Sequence, residues 1–541
     1  MTGDVDVLDG NWATFGRLVA LSERRLQDGR RERAAVDAMT AATFAWCNPT
    51  GVFASARLER VLARLGTTGL PPAPVRPSSS AADDRPRVLH VASQLYDTGG
   101  HTQMLANWLR LDAARRHHLC VTGQQGRAVP RKITDALGGP DDLSLLDEPF
   151  RGLVDRAASL RTLAAGFDHV LLHVHPNDVV ACIAFAHRPA GGPEVLLVNH
   201  ADHVFWLGST VADRIVNLRH SGAALNVERR GIAEGRNALL VRPLHLGARE
   251  RTREEARAVL GIDPEHVVVA SAADTYKYGA PEGESLLDVL LPVLRASPTT
   301  RLHVAGPAPD GDWAVLADEG LGKAWGVLPE VRTLMEAADV YVDSYPFSSL
   351  TSMLEAAALD VPVLTLRKGG EEVAVLCADT PELDDHLVVA RSADELASEV
   401  SSLVLDPGRR ERLGAATGDA VRRAHADGAW ESLVDKVLAG AGVVSGSVCG
   451  SVSGSPPTEV PRRTGSLDRR LLEVMRHGVG QGLTGTLDVM APQLPWSLRV
   501  STAVRLLRRR KARVALLLPA PWARVARRAR RRITGHGAVG A

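Results

Sequence analysis

The sequence predicts an α/β protein with two doubly wound, Rossmann-like domains that face each other across a cleft. Two series of short apolar runs, alternating with helical stretches, indicate this fold, because runs without polar alternation are typical of parallel strands covered on both faces. The segment 242–247, which contains Pro243, lies between the two series as a hinge. The runs lie at 88–92, 170–174, 195–198 and 215–216, and then at 267–270, 302–305, 340–342 and 363–366.

Further segments precede and follow the two predicted domains. The first segment shows apolar residues at three- and four-residue spacing within 17–26 and 55–65, which predicts amphipathic helices. Proline, glycine and serine mark the linkers. We therefore divide the chain into a helical segment (1–70), a linker (71–86), a first Rossmann-like domain (87–242), a second Rossmann-like domain (243–440), a flexible linker (441–465) and a basic amphipathic tail (466–541).

The C-terminal tail carries a strongly asymmetric charge. Thirteen Lys and Arg residues and no Asp or Glu follow residue 497, so a net charge of +1 for the whole chain leaves −12 for the rest. Trp522 lies between two basic helical stretches, a pattern that favours an anionic membrane surface. A solvated charge run, or an arm for a partner, would have the same composition. The acidic body argues against nucleic-acid binding.

Cysteine usage and the N-terminus favour a cytoplasmic protein. The five cysteines are scattered, odd in number and without metal-ligand spacing, which suggests buried thiols in a reducing compartment. The acidic start shows no secretory signal, and no apolar run approaches the roughly 20 residues that span a bilayer. We expect a cytoplasmic location, with the tail as a peripheral contact to the inner face of the cell membrane.

The stretch 338–366 is the most informative part of the chain. It predicts a buried strand, a polar loop, a helix and a second buried strand. Free N–H groups and hydroxyls at the start of a helix favour a phosphate group, although the same hydroxyls could merely cap the helix. The hydroxyl-bearing residues at this position are Ser348, Ser349, Thr351 and Ser352.

Two other strand-to-helix turns carry groups suited to a phosphate. Gly99 and Gly100 follow the first strand, where they let the backbone approach a ligand closely, and His101 comes next. The GxGxxG dinucleotide pattern is absent. Lys277 follows the first strand of the second domain, where its ammonium group could neutralise a phosphate.

Histidines and aspartates end two successive apolar runs of the first domain. His173 and His175 end one run, and His200, Asp202 and His203 follow the next. Since the carboxyl ends of parallel strands meet at one edge, these groups should converge on the cleft. A reactive histidine oriented by Asp202 is one interpretation, a zinc site is another, and any single histidine could be structural.

In this order the pieces resemble the GT-B nucleotide-sugar glycosyltransferases over roughly residues 87–440. Gly99-Gly100 is similar to the Gly-Gly loop that retaining family-four enzymes carry near the donor diphosphate. The pair His173 and His175 resembles their strand-end HxH pattern, and His200 lies where they have a histidine beside the reacting sugar. The segment 325–342 resembles the one whose loop contacts the nucleotide base, and 355–362 resembles their donor-site helix.

Two positions depart from the family-four pattern. The first of two glutamates, eight residues before Glu355, is Phe347 here, and the arginine that accompanies the lysine is Ala272. The Thr351-Ser352 pair and the solitary Lys277 are more similar to the O-linked N-acetylglucosamine transferase group, which inverts stereochemistry. The resemblance therefore implies a GT-B fold and a nucleotide-sugar donor, and it leaves retention and inversion both open.

The resemblance also implies roles for individual residues. Glu355 would hold donor ribose or sugar hydroxyls. His200 would orient the sugar or accept the proton of the acceptor, with Asp202 tuning it. Neither a metal nor another cofactor is expected, and a UDP-sugar is favoured over a GDP-sugar. The remaining donor-binding residues would be Gly99, Gly100, Lys277, Ser348, Ser349, Thr351 and Ser352, and the acceptor side of the cleft would hold His101, His173, His175 and His203.

The expected function is transfer of a sugar from a nucleotide-diphosphate sugar to a glycan, lipid-linked glycan or protein. Two alternatives remain open at this point. A nucleotide-sugar 2-epimerase shares the architecture and needs no acceptor. A non-catalytic cell-envelope scaffold with a degenerate donor site would explain the two departures.

Overall fold

The structure is a computed structural model in which the chain divides into two compact units. The first unit contains Met1–Leu218, Gly222–Leu240 and the described residues from Glu431 onward, and the second contains Arg219–Ser221 and Val241–Trp430. The described residues are 2–72, 74, 84–97, 99–148, 150–245, 249–280, 284–381, 383–425, 427–440, 460–476 and 480–500.

A seven-stranded parallel sheet forms the centre of the first unit, with the strand order β3-β2-β1-β4-β5-β6-β7. The order reverses between β1 and β4, as in a doubly wound sheet, where ligands bind beyond the carboxyl ends of the strands. Its strands are β1 (Arg87–Ala92), β2 (Arg116–Val121), β3 (Leu143–Leu145), β4 (His169–His173), β5 (Glu194–Asn199), β6 (Arg214–Asn217) and β7 (Asn237–Leu239).

Helices cover this sheet on both faces. The alanine-rich α2 is buried along almost its whole length, and Glu32 in its first turn accepts hydrogen bonds from the free N–H groups of Leu153 and Val154 at the start of α6. Asp178 caps α7 by accepting from Val180 and Ala181. The helices are α1 (Thr2–Gln27), α2 (Arg31–Cys47), α3 (Ala56–Gly69), α4 (Gly100–Leu111), α5 (Arg131–Thr134), α6 (Leu153–Ala164), α7 (Val179–Phe185) and α8 (His220–Arg230).

The second unit repeats the plan with a six-stranded parallel sheet in the order β10-β9-β8-β11-β12-β13. The order again reverses beside its first strand, between β8 and β11. Its strands are β8 (Val267–Ala272), β9 (Thr300–Ala305), β10 (Gly322–Ala324), β11 (Val340–Val342), β12 (Val363–Leu366) and β13 (Val388–Ala390). Its helices are α9 (Arg253–Leu260), α10 (Leu286–Ala296), α11 (Val315–Asp318), α12 (Arg332–Ala337), α13 (Thr351–Ala357), α14 (Ala393–Leu405) and α15 (Pro407–His425).

Three C-terminal helices follow: α16 (Asp427–Leu438), α17 (Ser466–Met475) and α18 (Gly482–Met490). The last two belong to the first unit, whereas the sequence analysis assigned them to a separate tail. Asn48 at the end of α2 binds the chain before α18 through Gly480 and Gly482, and Met490 joins the core of the first sheet. The predicted linker lies largely outside the described residues, as do the basic residues of the tail beyond Arg499.

The predicted fold class is confirmed. All eight predicted strands are present, and the five missed strands of the described chain are β2 and four short ones of three residues each. The helix predicted over 17–26 is the end of the longer α1. In the described part of the chain, every helix is too short or too polar to cross a membrane.

Candidate functional site

The polar loop that follows β11 is built around the buried carboxylate of Asp343. Its Oδ1 accepts from the backbone N–H of Ser344 at 2.9 Å, from that of Ser349 at 2.9 Å and from the Ser349 hydroxyl at 2.6 Å. The Ser348 hydroxyl donates to Oδ2. Two serines that the sequence analysis assigned to the donor are thus engaged in holding the loop. Burial raises the pKa of Asp343, and these donors partly offset that effect.

Lys277 reaches the same loop from the end of β8. Its Nζ donates to the carbonyl oxygen of Ser348 at 2.8 Å and lies 4.5 Å from the ring centroid of Phe347. Burial, which disfavours the ammonium form, lowers the pKa of Lys277 to about 8, although Asp343 acts in the opposite direction. Lys277 and the serine loop thus lie next to each other, as expected. The negative charge of Asp343 offsets only part of the effect of burial on the pKa of Lys277.

Two arginines accompany Lys277, and sequence reasoning did not assign either of them to the site. Arg242 donates from Nη1 to the hydroxyl of Thr351 at 3.2 Å, and Arg219 donates to the carbonyl oxygens of Cys377 at 3.0 Å and Val375. Both guanidinium groups contribute to lowering the pKa of Lys277. The second unit therefore places Lys277 and Arg242 at the loop around Asp343, and Arg219 at the neighbouring residues 375–377.

Helix α13 starts directly after this loop. Leu350, which precedes it, has a φ of 52°, a left-handed conformation that is uncommon for leucine and costs on the order of 1–3 kcal/mol. Thr351 and Ser352 in the first turn are half-buried, and so is Glu355. Because Glu355 lies four residues after Thr351, both side chains share one face of the helix. The strained residue is thus followed by the polar groups that the sequence analysis singled out.

In the first unit, the Gly99-Gly100 turn leads from β1 into α4. Gly99 has a φ of 107°, which favours glycine, and a Cβ atom added there would meet nothing within 4 Å. His101 follows in the first turn of the helix, and its Nε2 lies 2.9 Å from the carbonyl oxygen of His173. The turn therefore leaves open space beside it and connects directly to the end of β4.

Four predicted histidines meet at this edge of the first sheet. The rings of His101 and His200 stack with their centroids 4.3 Å apart, and those of His101 and His175 are 5.7 Å apart. Burial lowers the pKa of His173 to about 3 and that of His175 to about 4, and it also lowers the pKa of His200. The convergence expected from the strand ends is present, and burial favours the neutral form of His173, His175 and His200.

His200 and Asp202 contact different partners in the turn that follows β5. His200 Nδ1 lies 3.2 Å from the carbonyl oxygen of Val198 in its own turn. The Asp202 carboxylate lies instead beside His203, 3.5 Å from its Nδ1. Residues 200–203 form this turn, which places Asp202 next to His203 in the chain.

The described residues contain no group of three or more His, Cys, Asp or Glu side chains arranged to hold a metal ion. The zinc interpretation of the histidines therefore gains no support from the described part of the chain. One ring nitrogen of His101 and one of His200 contact backbone carbonyl oxygens instead.

Of the residues that sequence reasoning missed, Asp343 carried a weak signal, and Arg242 and Arg219 carried none. Arg242 begins the hinge segment, 35 positions before Lys277, and nothing in its neighbourhood links it to Thr351. Asp343 lies within the most informative stretch, where a carboxylate directly after an apolar strand is a signal for a loop anchor. Arg219, which follows β6, gave no pattern at all.

Comparison with known proteins places a family match on the second half of the chain. The glycosyl transferase-like family matches residues 288–438. This segment contains the loop around Asp343 and the helix with Thr351 and Glu355, whereas Lys277 and Arg242 precede it. The match therefore covers part of the second unit, including the polar loop.

Two similar proteins are both named D-inositol 3-phosphate glycosyltransferase. The one from Rhodococcus opacus (strain B4) is 29% identical over 201 residues, which are 34% of this chain and 43% of that protein. The one from Mycobacterium marinum is 31% identical over 205 residues, or 35% of this chain and 40% of that protein. The chain thus spans less than half the length of the curated relatives it matches.

A solved structure extends the likeness to both sheets. Anabaena HepE, solved with UDP and glucose, aligns with a TM-score of 0.50 and 13% identity, covering 65% of this chain and 99% of that one. At this identity the likeness concerns the fold alone. The chain accordingly has the GT-B fold, and its sequence is similar to family-four glycosyltransferases.

Proposed function

We propose that this chain is a glycosyltransferase that moves a sugar from a nucleotide-diphosphate sugar to an acceptor hydroxyl. The observation that carries the proposal is the cluster of Lys277 and Arg242 beside Thr351, at the carboxyl edge of the second sheet. Parallel α/β sheets bind ligands at this edge, and two cations next to a hydroxyl suit a diphosphate. The family match and the GT-B fold support the same class.

The cations of this cluster would act on the leaving group. When the bond between the anomeric carbon and the diphosphate oxygen breaks, negative charge develops on the diphosphate. Lys277 and Arg242 are held beside that position by Ser348 and Thr351, so they need no rearrangement at the moment of reaction. This supply of positive charge by the protein supports a reaction without a metal ion. Glu355, on the same helix face as Thr351, would hold hydroxyls of the ribose or the sugar.

The acceptor would be activated in the first unit. There His200 donates from Nδ1 to the carbonyl oxygen of Val198, which leaves Nε2 as the basic nitrogen. This nitrogen would take the proton of the acceptor hydroxyl as its oxygen bonds to the anomeric carbon. Burial lowers the pKa of His200, which keeps the ring neutral before the acceptor binds but also makes it a weaker base.

Donor identity can be tested by thermal shift with UDP, GDP and their sugars. We expect UDP and UDP-sugars to raise the melting temperature more than the GDP series, because a ligand that binds only the folded protein stabilises it. The UDP preference is supported by the resemblance and by the UDP seen in HepE. Stabilisation by neither nucleotide would contradict the proposed donor class.

Lys277→Ala tests the mechanism. We expect it to abolish transfer, with a loss of at least about a hundredfold in kcat, typical for removal of one group that stabilises transition-state charge. Lys368→Ala is a matched control in the same unit, since Lys368 is 44% exposed and pairs with Glu284. Equal activity of both variants would remove Lys277 from the mechanism.

Product analysis separates the two rival functions. A 2-epimerase converts the sugar of the donor without an acceptor, so incubation with donor alone would yield an isomeric sugar. A non-catalytic scaffold would bind the donor but neither hydrolyse nor transfer it. The position of Arg242 beside Thr351 disfavours the scaffold. Family-four enzymes have an arginine where this chain has Ala272, and Arg242 supplies a second cation in its place.

The basic C-terminal residues support a second site of interaction, with anionic lipid. Because 480–500 pack with the first unit, the deletion should begin at residue 501. The truncated protein should no longer sediment with vesicles that contain phosphatidylserine, while its melting temperature stays unchanged. Unchanged sedimentation would refute a peripheral membrane location through this segment.

A further inference from the structure

The segment that carries Arg242 belongs to no helix or strand, so other parts of the chain must hold it. Residues 241–245 follow β7 as irregular backbone, and Arg242 stands directly before Pro243. A residue before proline is confined to extended conformations, and proline has no N–H group to donate. The shape of this backbone is therefore restricted locally, but its position depends on contacts with other elements.

Two aromatic side chains from the end of the second unit hold this segment. Trp430 Nε1 donates to the carbonyl oxygen of Val241 at 2.8 Å, and His425 Nδ1 lies 2.9 Å from the carbonyl oxygen of Arg242. The backbone N–H of Leu244 donates to the carbonyl oxygen of His425 at 2.8 Å. His425 ends α15 and Trp430 lies in the first turn of α16, and both belong to the second unit. Three hydrogen bonds therefore hold the backbone before, at and after Arg242.

The carbonyl oxygen of Arg242 determines which nitrogen of His425 carries the proton. A carbonyl oxygen can only accept, so the proton of the ring lies on Nδ1. His425 is 1% exposed, and burial lowers its pKa to about 4, so the ring is neutral at pH 7. Its other nitrogen, Nε2, has no hydrogen-bond partner among the described residues. The contact with Arg242 is thus the one ring hydrogen bond of His425 in the described part of the chain.

An aliphatic side chain would fill the position of His425 at a lower cost. A buried nitrogen without a partner costs stability, which a leucine of similar volume would not lose. What the histidine adds is the N–H group that holds the Arg242 carbonyl. Trp430, which is 0% exposed, supplies the same kind of donor to Val241. Both rings thus satisfy carbonyl oxygens that no strand or helix satisfies.

The segment held in this way carries the Arg242 guanidinium to the polar loop. Its Nη1 donates to the Thr351 hydroxyl at 3.2 Å. Its charge also contributes to lowering the pKa of Lys277, whose Nζ donates to the carbonyl oxygen of Ser348. An arginine side chain is long and loses much rotamer freedom when it is fixed. A backbone that is already held reduces what remains to be ordered when a ligand binds.

We propose that His425 and Trp430 are positioning residues, which hold the backbone of Arg242 and thereby place its guanidinium where the diphosphate of the donor binds. They act through Arg242 and not on the ligand itself. This inference rests on the proposed function for the identity of the ligand. The placement of Arg242 is a property of the free protein and can be tested without a ligand.

Three variants separate the hydrogen bond to Arg242 from ordinary packing. His425→Leu removes the donor at similar volume, whereas His425→Asn keeps an N–H group near the position of Nδ1. Thr417→Val is the matched control, because Thr417 is also buried in α15 and its hydroxyl donates to the carbonyl oxygens of Leu413 at 2.7 Å and His386 at 2.9 Å. Both His425→Leu and Thr417→Val remove a buried donor to backbone carbonyls, so both should lower the melting temperature.

Calorimetric titration with UDP tests the effect on the site. His425→Leu should weaken UDP binding about threefold to tenfold, the range for loss of one hydrogen bond, whereas His425→Asn and Thr417→Val should stay within about twofold. In the Arg242→Ala background, His425→Leu should have no further effect on UDP affinity, because the group that it positions is absent. Wild-type affinity in His425→Leu, equal losses in the Leu and Asn variants, or additive losses in the double variant would each overturn the proposal.

The pKa of Lys277 tests the placement of Arg242 without any nucleotide. Lys277 is one of six lysines in the chain, so its carbon-13 signal can be assigned by NMR through its loss in Lys277→Arg. Because the Arg242 guanidinium lowers this pKa, Arg242→Ala should raise it, and so should His425→Leu, which itself removes no charge. Thr417→Val should leave the pKa unchanged. An unchanged pKa in His425→Leu would overturn the proposal, whether or not the protein transfers sugar.

A further variant serves if His425→Leu fails to fold. Trp430→Phe keeps an aromatic ring but loses the donor to Val241, so it should also weaken UDP binding and raise the pKa of Lys277. Wild-type values of both quantities in this variant would contradict the proposal. A wild-type protein that binds neither UDP nor GDP would refute the proposed function, and the pKa of Lys277 would still decide the placement of Arg242.

Discussion

The two sheets carry similar folds but opposite chemistry at their carboxyl edges. The first unit gathers neutral imidazoles, of which His173 and His200 are examples, and holds them by backbone carbonyls and by one another. The second unit gathers charges, with Lys277 and Arg242 around the buried Asp343. Each edge suits a different step: neutral nitrogens can accept protons, whereas fixed cations stabilise a leaving diphosphate.

Burial lowers pKa values at both edges, but with different consequences for the histidines of the first unit and for Lys277 of the second. At the histidine edge, burial lowers the pKa values of His173 and His200, so that these rings stay uncharged at neutral pH. At the cation edge, burial also lowers the pKa of Lys277, but only to about 8, because Asp343 opposes it. The same physical effect therefore produces acceptors in one unit and a weakly held proton in the other.

The largest expected effect is the loss of stability at low pH, which should begin in the first unit. Six described histidines of the first unit have lowered pKa values, against two in the second, His303 and His425. A histidine with a lowered pKa binds its proton more readily when unfolded. Each such histidine therefore contributes fully to the free energy of unfolding above the pKa of the unfolded state, about 6.5. This contribution falls by about 1.4 kcal/mol per pH unit for each group as the pH decreases toward 4.

Hydrogen exchange read by mass spectrometry at pH 7, 6 and 5 checks this expectation. Peptides from β1, β2 and β4 should lose protection before peptides from β8 and β9 do. Replacing His118 by Leu should reduce the difference in acid sensitivity between the two units only slightly, because it removes one of the six histidines. Simultaneous loss of protection in both units would show that the buried histidines do not determine the pH at which the first unit unfolds.

Asp343→Ala should have the next largest effect, and it concerns the second unit. The change leaves Lys277 without its counter-charge and the Ser349 N–H without an acceptor. Each buried donor left without its acceptor costs about 1–3 kcal/mol, so we expect the free energy of unfolding to fall by at least that amount. Urea unfolding measures the loss. Asp274→Ala is the control, since Asp274 is an exposed carboxylate near the same lysine and should cost less than about 1 kcal/mol.

The central strands could be predicted from the sequence because burial on both faces makes them continuously apolar. The missed β2 (Arg116–Val121) begins with Arg116, His117 and His118, so its start does not look apolar. The side chains of both histidines are satisfied by partners from other segments, Asp112 and Ser144 among them. These partners come close only in the tertiary fold, so the periodicity of the sequence could not reveal them.

The site was predictable where its groups are close in sequence and not where they meet across the fold. Lys277 and the loop at 348–352 could be found because each follows an apolar strand. Arg242 could not, because only folding brings it to Thr351. The pairing of His200 with Asp202 stays a prediction, because the contacts described for the two residues are with Val198 and His203.

Arg242→Ala should weaken UDP binding by about tenfold to a hundredfold, as expected for loss of a hydrogen bond to a charged group. Arg295→Ala is a suitable control, because Arg295 lies in the same unit and pairs with Glu319 on the surface. Calorimetric titration with UDP measures both. If Arg242→Ala binds UDP as the control does, the second cation of the proposed diphosphate site must be sought elsewhere.

The smallest expected effect is a proton taken up with the nucleotide. Because the pKa of Lys277 is lowered to about 8, part of the population is neutral at pH 8, and a bound diphosphate would restore the charge. UDP affinity should therefore fall as the pH rises from 7.5 to 9.5, by at most about tenfold per pH unit, over a range where a terminal phosphate, with a pKa of about 6, no longer titrates. Titrations in two buffers of different ionisation heat would measure a fractional proton uptake. Lys277→Arg, whose guanidinium stays protonated, should abolish both effects, and a pH dependence that survives in this variant would assign the proton to another group.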